Sequence, residues 1–376
     1  MKKYASLLLV GIIFFCVSCN KSSQNESEYK IAVISPLSGP YKLLGESITH
    51  GAQLAVEEIN KKNGINGKKV DLIIEDDGGL PGEGAFFAYR LTRTQMILGV
   101  IGHLNSDISI PASEFYVRAM VVQISPGSTS PYFTERESTR GYVFRTIGRD
   151  DTQGKLAADY VLKHGFKRVA VLYNDRAYGR ELSGEFVKGL QSLPPSGIKP
   201  EIVYYNMIQV GLKDYGSLLA QLSSKSPDVV FLAGEHDDAG HLIKDFPKYG
   251  LEKTQFIGGD GIDHKEFIKI GGINTEGTIA ISSAPIVDQT FIKRFYDRFG
   301  ENPTGYAANS YDATNILLAA IGKVKDFDGT KVAKEVSSTK DFSGVTGKIS
   351  FNVNGDLTSP GFVLSKVVNG EFKKLK

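Results

Sequence analysis

Apolar and polar positions follow one another in a pattern that predicts strands separated by helices. The apolar run "YKIAVIS" is followed, after a Ser-Gly-Pro turn, by a segment in which Ile48, Ala52, Ala55, Val56 and Ile59 share one helical face. The alternation returns in "KVDLIIED", "ILGVIGH", "RVAVLYND", "DVVFLAGE" and "QFIGGD", among other pieces. Short apolar strands between amphipathic helices predict parallel sheets covered on both faces.

These units form two series, over about 29–124 and 169–260, which are separated by the extended segment "GYVFRTIGRDDTQG". A helix is predicted to begin after this segment, with Asp150 or Asp151 as its N-cap. The last part of the chain adds two predicted helices and two predicted strands, over 287–299, 306–323, 348–351 and 361–368. Right-handed crossovers then give an α/β fold of two Rossmann-like, doubly wound lobes joined by more than one strand.

The N-terminal segment "MKKYASLLLVGIIFFCVSCNKSSQNESE" predicts export from the cytoplasm. Two lysines, a short apolar run and a polar tract are typical of a secretory signal peptide, over 1–18, followed by a flexible tether over 19–28. Both cysteines, Cys16 and Cys19, lie here, so the rest of the chain has no thiol for a disulfide or a zinc site. Ser18-Cys19 resembles a bacterial lipobox and predicts a lipid anchor on Cys19, with ordinary cleavage as the alternative.

Length and charge narrow the classes of protein. The 376 residues accommodate two domains, which we place at 29–147 plus 283–355 and at 148–282 plus 356–376. Removing residues 1–18 takes away two lysines and no acid, so Lys plus Arg falls from 44 to 42, against 42 Asp plus Glu. A neutral chain lacks the basic surface that nucleic-acid binding requires.

Sequence signatures of catalysis are missing. There is no G-x-S-x-G, no phosphate-binding loop, no H-E-x-x-H, and no G-x-G-x-x-G after the first strand. His236 and His241 lack a third nearby Cys or His, so we interpret them as surface residues and predict neither metal nor cofactor. A hydrolase using Ser106 as nucleophile and His103 as base is the enzymatic alternative, but no third member is identifiable. We therefore expect a protein that is not an enzyme.

The residues that follow the strands differ between the two predicted lobes. Ligands of open α/β sheets bind beyond the carboxyl ends of the strands, where helix N-termini begin. In the first lobe these ends carry Ser106, Ser128 and Thr129, whose hydroxyl and N–H groups suit a carboxylate. In the second lobe they carry Glu235 and Asp260, which suit an ammonium group. A site with these two halves predicts a zwitterion, an amino acid, bound between the lobes.

Each of these residues also has a plain structural role. The three hydroxyl residues are common helix caps and turn-formers, and the two acids are common at helix starts and in turns. Tyr178 and Tyr306 are candidate aromatic walls of the pocket, and core residues as the alternative. The hydrogen-bond donors lie in one predicted lobe and the acids in the other. This separation favours a ligand-binding role over the structural roles.

Many stretches resemble the type I periplasmic binding proteins of ABC transporters, in the branched-chain amino acid group. In family order they are "IAVISPLSGPYKLLGE", "GAQLAVEEINKKNGINGKKVDLIIEDD", "VIGHLNSDISIPAS", "ISPGSTSPYFT", "FRTIGRDDTQG", "VAVLYNDRAYGREL", "PDVVFLAGE", "FIGGDGI", "EGTIAIS" and "NSYDATNILLAAI". The resemblance covers almost the whole chain after the tether. It implies a monomeric Venus-flytrap protein outside the cytoplasm, in the periplasm or at the cell surface, which delivers an amino acid to a membrane permease.

The resemblance also implies roles for individual residues. Carboxylate binding falls on Ser106 with the loop Gly127, Ser128 and Thr129, ammonium binding on Asp260, and an aromatic contact between the lobes on Tyr178. Asn105, beside the serine, is a further candidate.

Three positions depart from the family pattern: Asp260 stands where Glu is common, Glu235 where Tyr is typical, and Leu44, a further candidate ligand contact, where an aromatic residue is usual. A polar or differently sized amino acid, another small amine or amide, or a carboxylate therefore stays open beside a branched-chain ligand. A sensory module for a membrane receptor is an alternative to transport.

Overall fold

The structure is a computed structural model, and it describes residues 28–192, 199–324 and 326–375. The predicted signal peptide, Cys19 and residues 19–27 of the tether lie outside these ranges. The strands are β1 Glu28–Ser35, β2 Lys69–Asp76, β3 Ile97–Gly102, β4 Val122–Ser125, β5 Val143–Arg145, β6 Arg168–Asn174, β7 Glu201–Ile208, β8 Val229–Ala233, β9 Gln255–Gly258, β10 Ile279–Ser283, β11 Phe342–Gly344, β12 Gly347–Ile349, β13 Phe362–Val368 and β14 Glu371–Lys374.

The α-helices are α1 Lys42–Lys61, α2 Pro81–Thr94, α3 Ser106–Arg118, α4 Tyr132–Glu135, α5 Asp150–Lys163, α6 Ala177–Gln191, α7 Gly216–Ser224, α8 His236–Asp245, α9 Lys265–Gly271, α10 Gln289–Phe299, α11 Gly305–Lys323 and α12 Gly329–Ser337. Short 3-10 turns cover Glu137–Thr139, Phe246–Tyr249, Asp260–Ile262 and Gly272–Thr275. Over 28–192, 199–324 and 326–375, none of the helices has the length and apolar character needed to cross a membrane.

Two sheets form the centres of two lobes. The first sheet is parallel throughout, in the order β2-β1-β3-β4-β5, and the second has the order β14-β13-β10-β9-β8-β6-β7. The central strands β3 and β8 are buried along their whole length, as their continuous apolar runs predict. We call the part built on the first sheet the first lobe and the part built on the second sheet the second lobe.

The second sheet is not parallel throughout, which the sequence pattern did not predict. β13 pairs antiparallel with β10, and β14 pairs antiparallel with β13. The reason is where the chain enters: Phe362, the first residue of β13, lies opposite Ser283, the last residue of β10. A strand that starts at the carboxyl end of its neighbour must run in the opposite direction.

Helices from distant parts of the chain complete the first lobe. α10, α11 and α12 pack against α1 and the first sheet, although they follow the second sheet in sequence. The closest approach of α1 and α11 depends on Gly51, since a Cβ at this position would lie 2.2 Å from the carbonyl oxygen of Ala307. This packing fixes α11, which projects its N-terminal end toward the second lobe.

The chain passes between the two sheets three times, through 146–149, 284–288 and 350–361. At the first crossing α5 begins at Asp150 and Arg149 occupies the N-cap position without a side-chain cap, so the prediction of an Asp150 or Asp151 N-cap is wrong. The N–H of Asp150 instead donates to the carbonyl of Thr129 at 2.9 Å. A tertiary contact thus replaces the local cap.

Candidate ligand-binding site

The loops after β3 and β4 bring the hydroxyl residues of the first lobe to the cleft. Ser106 is the first residue of α3, and its hydroxyl lies 3.3 Å from the N–H of Ser130. Gly127 allows the two loops to touch, because a Cβ there would lie 2.7 Å from the Leu104 side chain. Helix N-termini carry a partial positive charge, so this edge is suited to an anion.

Two buried polar atoms at this edge lack partners. The hydroxyl oxygen of Thr129 and the side-chain oxygen of Asn105 are buried and make no hydrogen bond with the described residues. An unpaired buried polar group costs about 1–3 kcal/mol. Both residues line the cavity between the lobes, so a bound molecule could satisfy them.

Ser128 differs from the other predicted site residues. Its hydroxyl lies 3.1 Å from the carbonyl oxygen of Leu104 and 2.6 Å from the hydroxyl of Ser109, and its N–H donates to Ser125 at 2.8 Å. The residue does not line the cavity. These contacts hold the β4 loop against the β3 loop, and they leave the side chain no group free for a ligand.

Asp260 is the anionic centre on the second lobe. It begins the 3-10 turn after β9 and is 2 % exposed. One carboxylate oxygen accepts from Gln153 at 2.8 Å and from the Tyr178 hydroxyl at 2.9 Å, and the other accepts from the Tyr306 hydroxyl at 2.9 Å. Tyr306 belongs to α11 of the first lobe, so one of these hydrogen bonds crosses the cleft.

Burial and hydrogen bonding act in opposite directions on Asp260. Burial raises the pKa of the Asp260 carboxyl above its usual value, although hydrogen bonds from Gln153, Tyr306 and Tyr178 offset part of this rise by favouring the ionised form. Asp150 is also fully buried, and burial and the charge of Asp260 raise its pKa well above the usual range. Asp260, which accepts three hydrogen bonds, therefore ionises more readily than Asp150.

Glu235 lies beside Asp260 at the N-cap position of α8 and is 7 % exposed. One of its oxygens accepts from the side-chain amide of Asn174 at 2.6 Å. Burial raises the pKa of Glu235 to about 8, with Asp238 and Asp260 also raising it and the Asn174 hydrogen bond and Arg176 lowering it. Its carboxyl group is thus largely neutral at pH 7.

The predicted residues meet at one small cavity between the lobes. Its lining contains every predicted ligand-binding residue except Ser128, together with two that sequence reasoning missed: Leu44, Leu104, Asn105, Ser106, Gly127, Thr129, Tyr178, Glu235, Asp260, Gly261 and Tyr306. Sequence reasoning also missed the supporting residues Gln153 and Asn174. Asn174 ends β6, so the rule of strand ends could have identified it, whereas Gln153 lies inside a helix and carries no such signal.

An ion pair connects the two lobes beside the cavity. Arg176, directly before α6, donates to the two carboxylate oxygens of Asp107 on α3, at 2.7 and 3.0 Å. The same guanidinium donates to the carbonyl of Gly79 at 2.9 Å and lies 5.4 Å from the centre of the Tyr41 ring. Three parts of the first lobe thus contact one side chain of the second.

The histidines serve structural roles. His103 is fully buried, and its two ring nitrogens lie 2.7 Å from Asp77 and 3.0 Å from the Tyr116 hydroxyl, so neither is directed at Ser106. The interpretation of His236 as a surface residue is wrong: it is 3 % exposed, because its ring packs 4.7 Å from that of His264. Over the described ranges no three His, Cys, Asp or Glu side chains group in a way that could hold a metal ion.

A family model described as periplasmic binding protein matches residues 28–371. The chain belongs to the periplasmic binding protein family. Family membership implies that this periplasmic binding protein acts outside the cytoplasm. It is 36% identical over 341 residues to the Leu/Ile/Val-binding protein homolog 1 of Brucella suis, with 89% of each chain covered. It is 34% identical to the Leu/Ile/Val-binding protein BraC3 of Rhizobium johnstonii, with 90% of this chain and 92% of that protein covered.

Solved structures confirm the two-lobed α/β fold of this periplasmic binding protein. The leucine-binding protein LivK of Thermotoga maritima has a TM-score of 0.82 at 27% identity and covers 93% of this chain and 98% of its own. LivJ of Streptococcus pneumoniae, in complex with isoleucine, has a TM-score of 0.82 at 26% identity over 93% and 100% of the chains. An ABC transporter substrate-binding protein of Desulfitobacterium hafniense, in complex with Leu, has a TM-score of 0.76 at 29% identity over the same shares.

Proposed function

We propose that this protein captures an amino acid of the branched-chain type in the cavity between its lobes and delivers it to an ABC permease. The observation that carries the proposal is the composition of the cavity wall, with hydroxyl and N–H donors on the first lobe and carboxyl groups on the second. The names of its relatives and the isoleucine and leucine bound to similar proteins support the ligand class.

In this proposal the two ends of the amino acid bind to different lobes. Its carboxylate accepts hydrogen bonds from the hydroxyl groups of Ser106 and Thr129, beside the N-terminus of α3, and packs against Gly127. Its ammonium group binds Asp260, which three neutral donors keep suited to a negative charge. Tyr178, Tyr306 and Leu44 enclose the rest of the ligand, with Asn105 at the rim.

Binding of this kind closes the protein. Contacts from both lobes form together only when the cleft is closed, so the free energy of binding favours the closed state. The permease then recognises the closed form, and no covalent step is required. The protein acts as a monomer whose lobes comprise 29–147 plus 283–355 and 148–282 plus 356–376, and a lipid on Cys19 anchors it at the membrane surface.

The proposal is tested by measuring amino acid binding to purified protein with and without the Asp260→Asn substitution. We expect leucine, isoleucine or valine to raise the melting temperature, because a ligand that binds only the folded state stabilises it. Asp260→Asn should weaken binding by about 2 to 5 kcal/mol in calorimetry, since it removes one charge of a buried pair.

Asp159→Asn, on the exposed face of α5, is the matched control and should bind like the unmodified protein. Absence of a melting shift with every amino acid would contradict the proposed ligand class. An unchanged affinity in Asp260→Asn would remove Asp260 from the ammonium site.

A further inference from the structure

Only one of the two carboxyl oxygens of Glu235 makes a hydrogen bond with the described residues. The first oxygen accepts from Asn174, and the second makes no hydrogen bond with the described residues, although the side chain lines the cavity. The side chain fits there because position 261 is glycine: a Cβ on Gly261 would lie 3.2 Å from the Glu235 side chain. Glu235 therefore packs closely against Gly261 in the wall of the cavity.

The orientation of the carboxyl group is fixed from behind by Asn174, which is fully buried. The side-chain oxygen of Asn174 accepts from the N–H of Arg176 at 3.1 Å, so its amide nitrogen must face Glu235 and donate. A group held in this way has lost its rotational freedom before any ligand arrives.

Glu235 forms no ion pair within the described part of the chain, although the charge of the nearby Arg176 lowers the pKa of its carboxyl. Among the residues that the structure describes, no Lys, Arg or His lies within ion-pair distance of Glu235. The raised pKa described above keeps the group largely neutral near pH 7, so it can both donate and accept a hydrogen bond. A wholly aliphatic ligand would leave its free oxygen without a partner in the closed cavity.

We infer that Glu235 is a specificity-determining residue, whose free carboxyl oxygen hydrogen-bonds a hydroxyl or carboxamide group on the side chain of the bound amino acid. The inference rests on the proposed function, because it assumes that an amino acid occupies the cavity. The preferred ligands have the size of the branched-chain amino acids and carry one polar group. A cationic side chain is not preferred, because the Glu235 carboxyl is largely neutral near pH 7.

Two pairs of amino acids isolate the polar group at constant shape. Threonine replaces one methyl of valine by a hydroxyl, and asparagine replaces the isopropyl group of leucine by a carboxamide. The experiment measures the affinity of all four, and of lysine, by calorimetry at pH 7 for the unmodified protein and for Glu235→Gln and Glu235→Met. Glutamine retains hydrogen bonding and a partner for Asn174, while methionine retains only the approximate shape.

We expect the unmodified protein to bind threonine at least as tightly as valine, and asparagine at least as tightly as leucine. Glu235→Met should shift both ratios toward the aliphatic ligand by on the order of ten- to a hundredfold, and Glu235→Gln should retain most of the polar preference. If Glu235→Met does not fold, the threonine-to-valine and asparagine-to-leucine affinity ratios of the unmodified protein and of Glu235→Gln still test the inference.

Three results would overturn the inference: valine and leucine binding more than tenfold tighter than their polar partners, ratios unchanged by Glu235→Met, or lysine binding tightest. The first two leave the proposed function intact, whereas tightest binding of lysine would also contradict its branched-chain ligand class. Failure of the proposed function looks different, because then none of the five amino acids binds.

Discussion

At the scale of single residues, the site is defined by acids that are buried without a basic partner. Among the described residues, neither Glu235 nor Asp260 pairs with a Lys, Arg or His, and each is held by neutral donors instead. The buried Glu235 carboxyl, whose pKa is raised, makes stability depend on pH, because the folded protein retains a proton that the unfolded chain releases.

The effect of pH on stability follows from the pKa of Glu235, which is 4.5 for the free side chain and about 8 in the folded protein. Below pH 4.5 the carboxyl is protonated in both states and its contribution to stability is fully present. As the pH rises toward 8 the unfolded chain loses its proton first, so this contribution falls and is lost above pH 8.

We therefore expect the unfolding free energy to fall between pH 5 and pH 8.5 more steeply in the unmodified protein than in Glu235→Gln, by on the order of 2 to 4 kcal/mol. Urea unfolding at a series of pH values measures this difference. Asp159→Asn is the control and should follow the unmodified protein. Parallel curves for Glu235→Gln and the unmodified protein would show that the folded carboxyl titrates normally.

The sequence predicted the site residues that directly follow strands. It did not predict the residues that hold those side chains in position. The position of Ser106, Thr129, Glu235 and Asp260 after parallel strands was enough to predict that they meet. The structural role of Ser128 depends on its contacts with the neighbouring β3 loop and α3, and sequence position does not reveal such contacts.

At the scale of secondary structure, α11 connects the first lobe to the ligand site. The helix was predicted over 306–323 and spans Gly305–Lys323, because its apolar positions and its N-terminal Thr304 are local signals. Thr304 caps the helix by accepting from the N–H of Ala307 at 3.2 Å. Two residues later, Tyr306 reaches Asp260. The direction of β13, by contrast, depends on where the chain returns to the second sheet, and no local signal encodes that.

Thr304→Val should destabilise the protein by about 1 kcal/mol, because it removes the capping hydroxyl and keeps the shape. It should also weaken amino acid binding, since the first turn of α11 positions Tyr306. Urea unfolding and calorimetry measure the two effects, and Thr304→Ser, which retains the hydroxyl, should preserve both properties. Equal behaviour of the two variants would mean that packing against α1 alone fixes this turn.

At the scale of the whole molecule, the lobes are joined by three crossings of the chain and by side-chain contacts across the cleft. One of these contacts is the Arg176–Asp107 pair, which is bidentate and whose side chains are only 19% and 23% exposed. Opening the cleft separates the two charges, so the pair stabilises the closed state.

Arg176→Ala and Asp107→Ala should each speed release of a labelled amino acid, by roughly fivefold for a pair worth about 1 kcal/mol. The double variant should release the ligand no faster than the single variants, because the same interaction is lost once. Chase with unlabelled ligand measures the rates. Lys213→Ala, which breaks an ion pair with Asp237 within the second lobe, should leave release unchanged. Additive effects of the two single variants would exclude a direct coupling.

The hydrogen bond from Tyr306 to Asp260 links unloading to shape. Tyr306 belongs to the first lobe and Asp260 to the second, so in the proposed function a permease that opens the cleft removes a hydrogen-bond donor from the carboxylate that binds the ammonium group. Water enters at the same moment and competes for the same oxygen atoms. Opening of the cleft and weaker binding of the ammonium group would therefore occur together. Release of the ligand to the permease then requires no separate chemical signal.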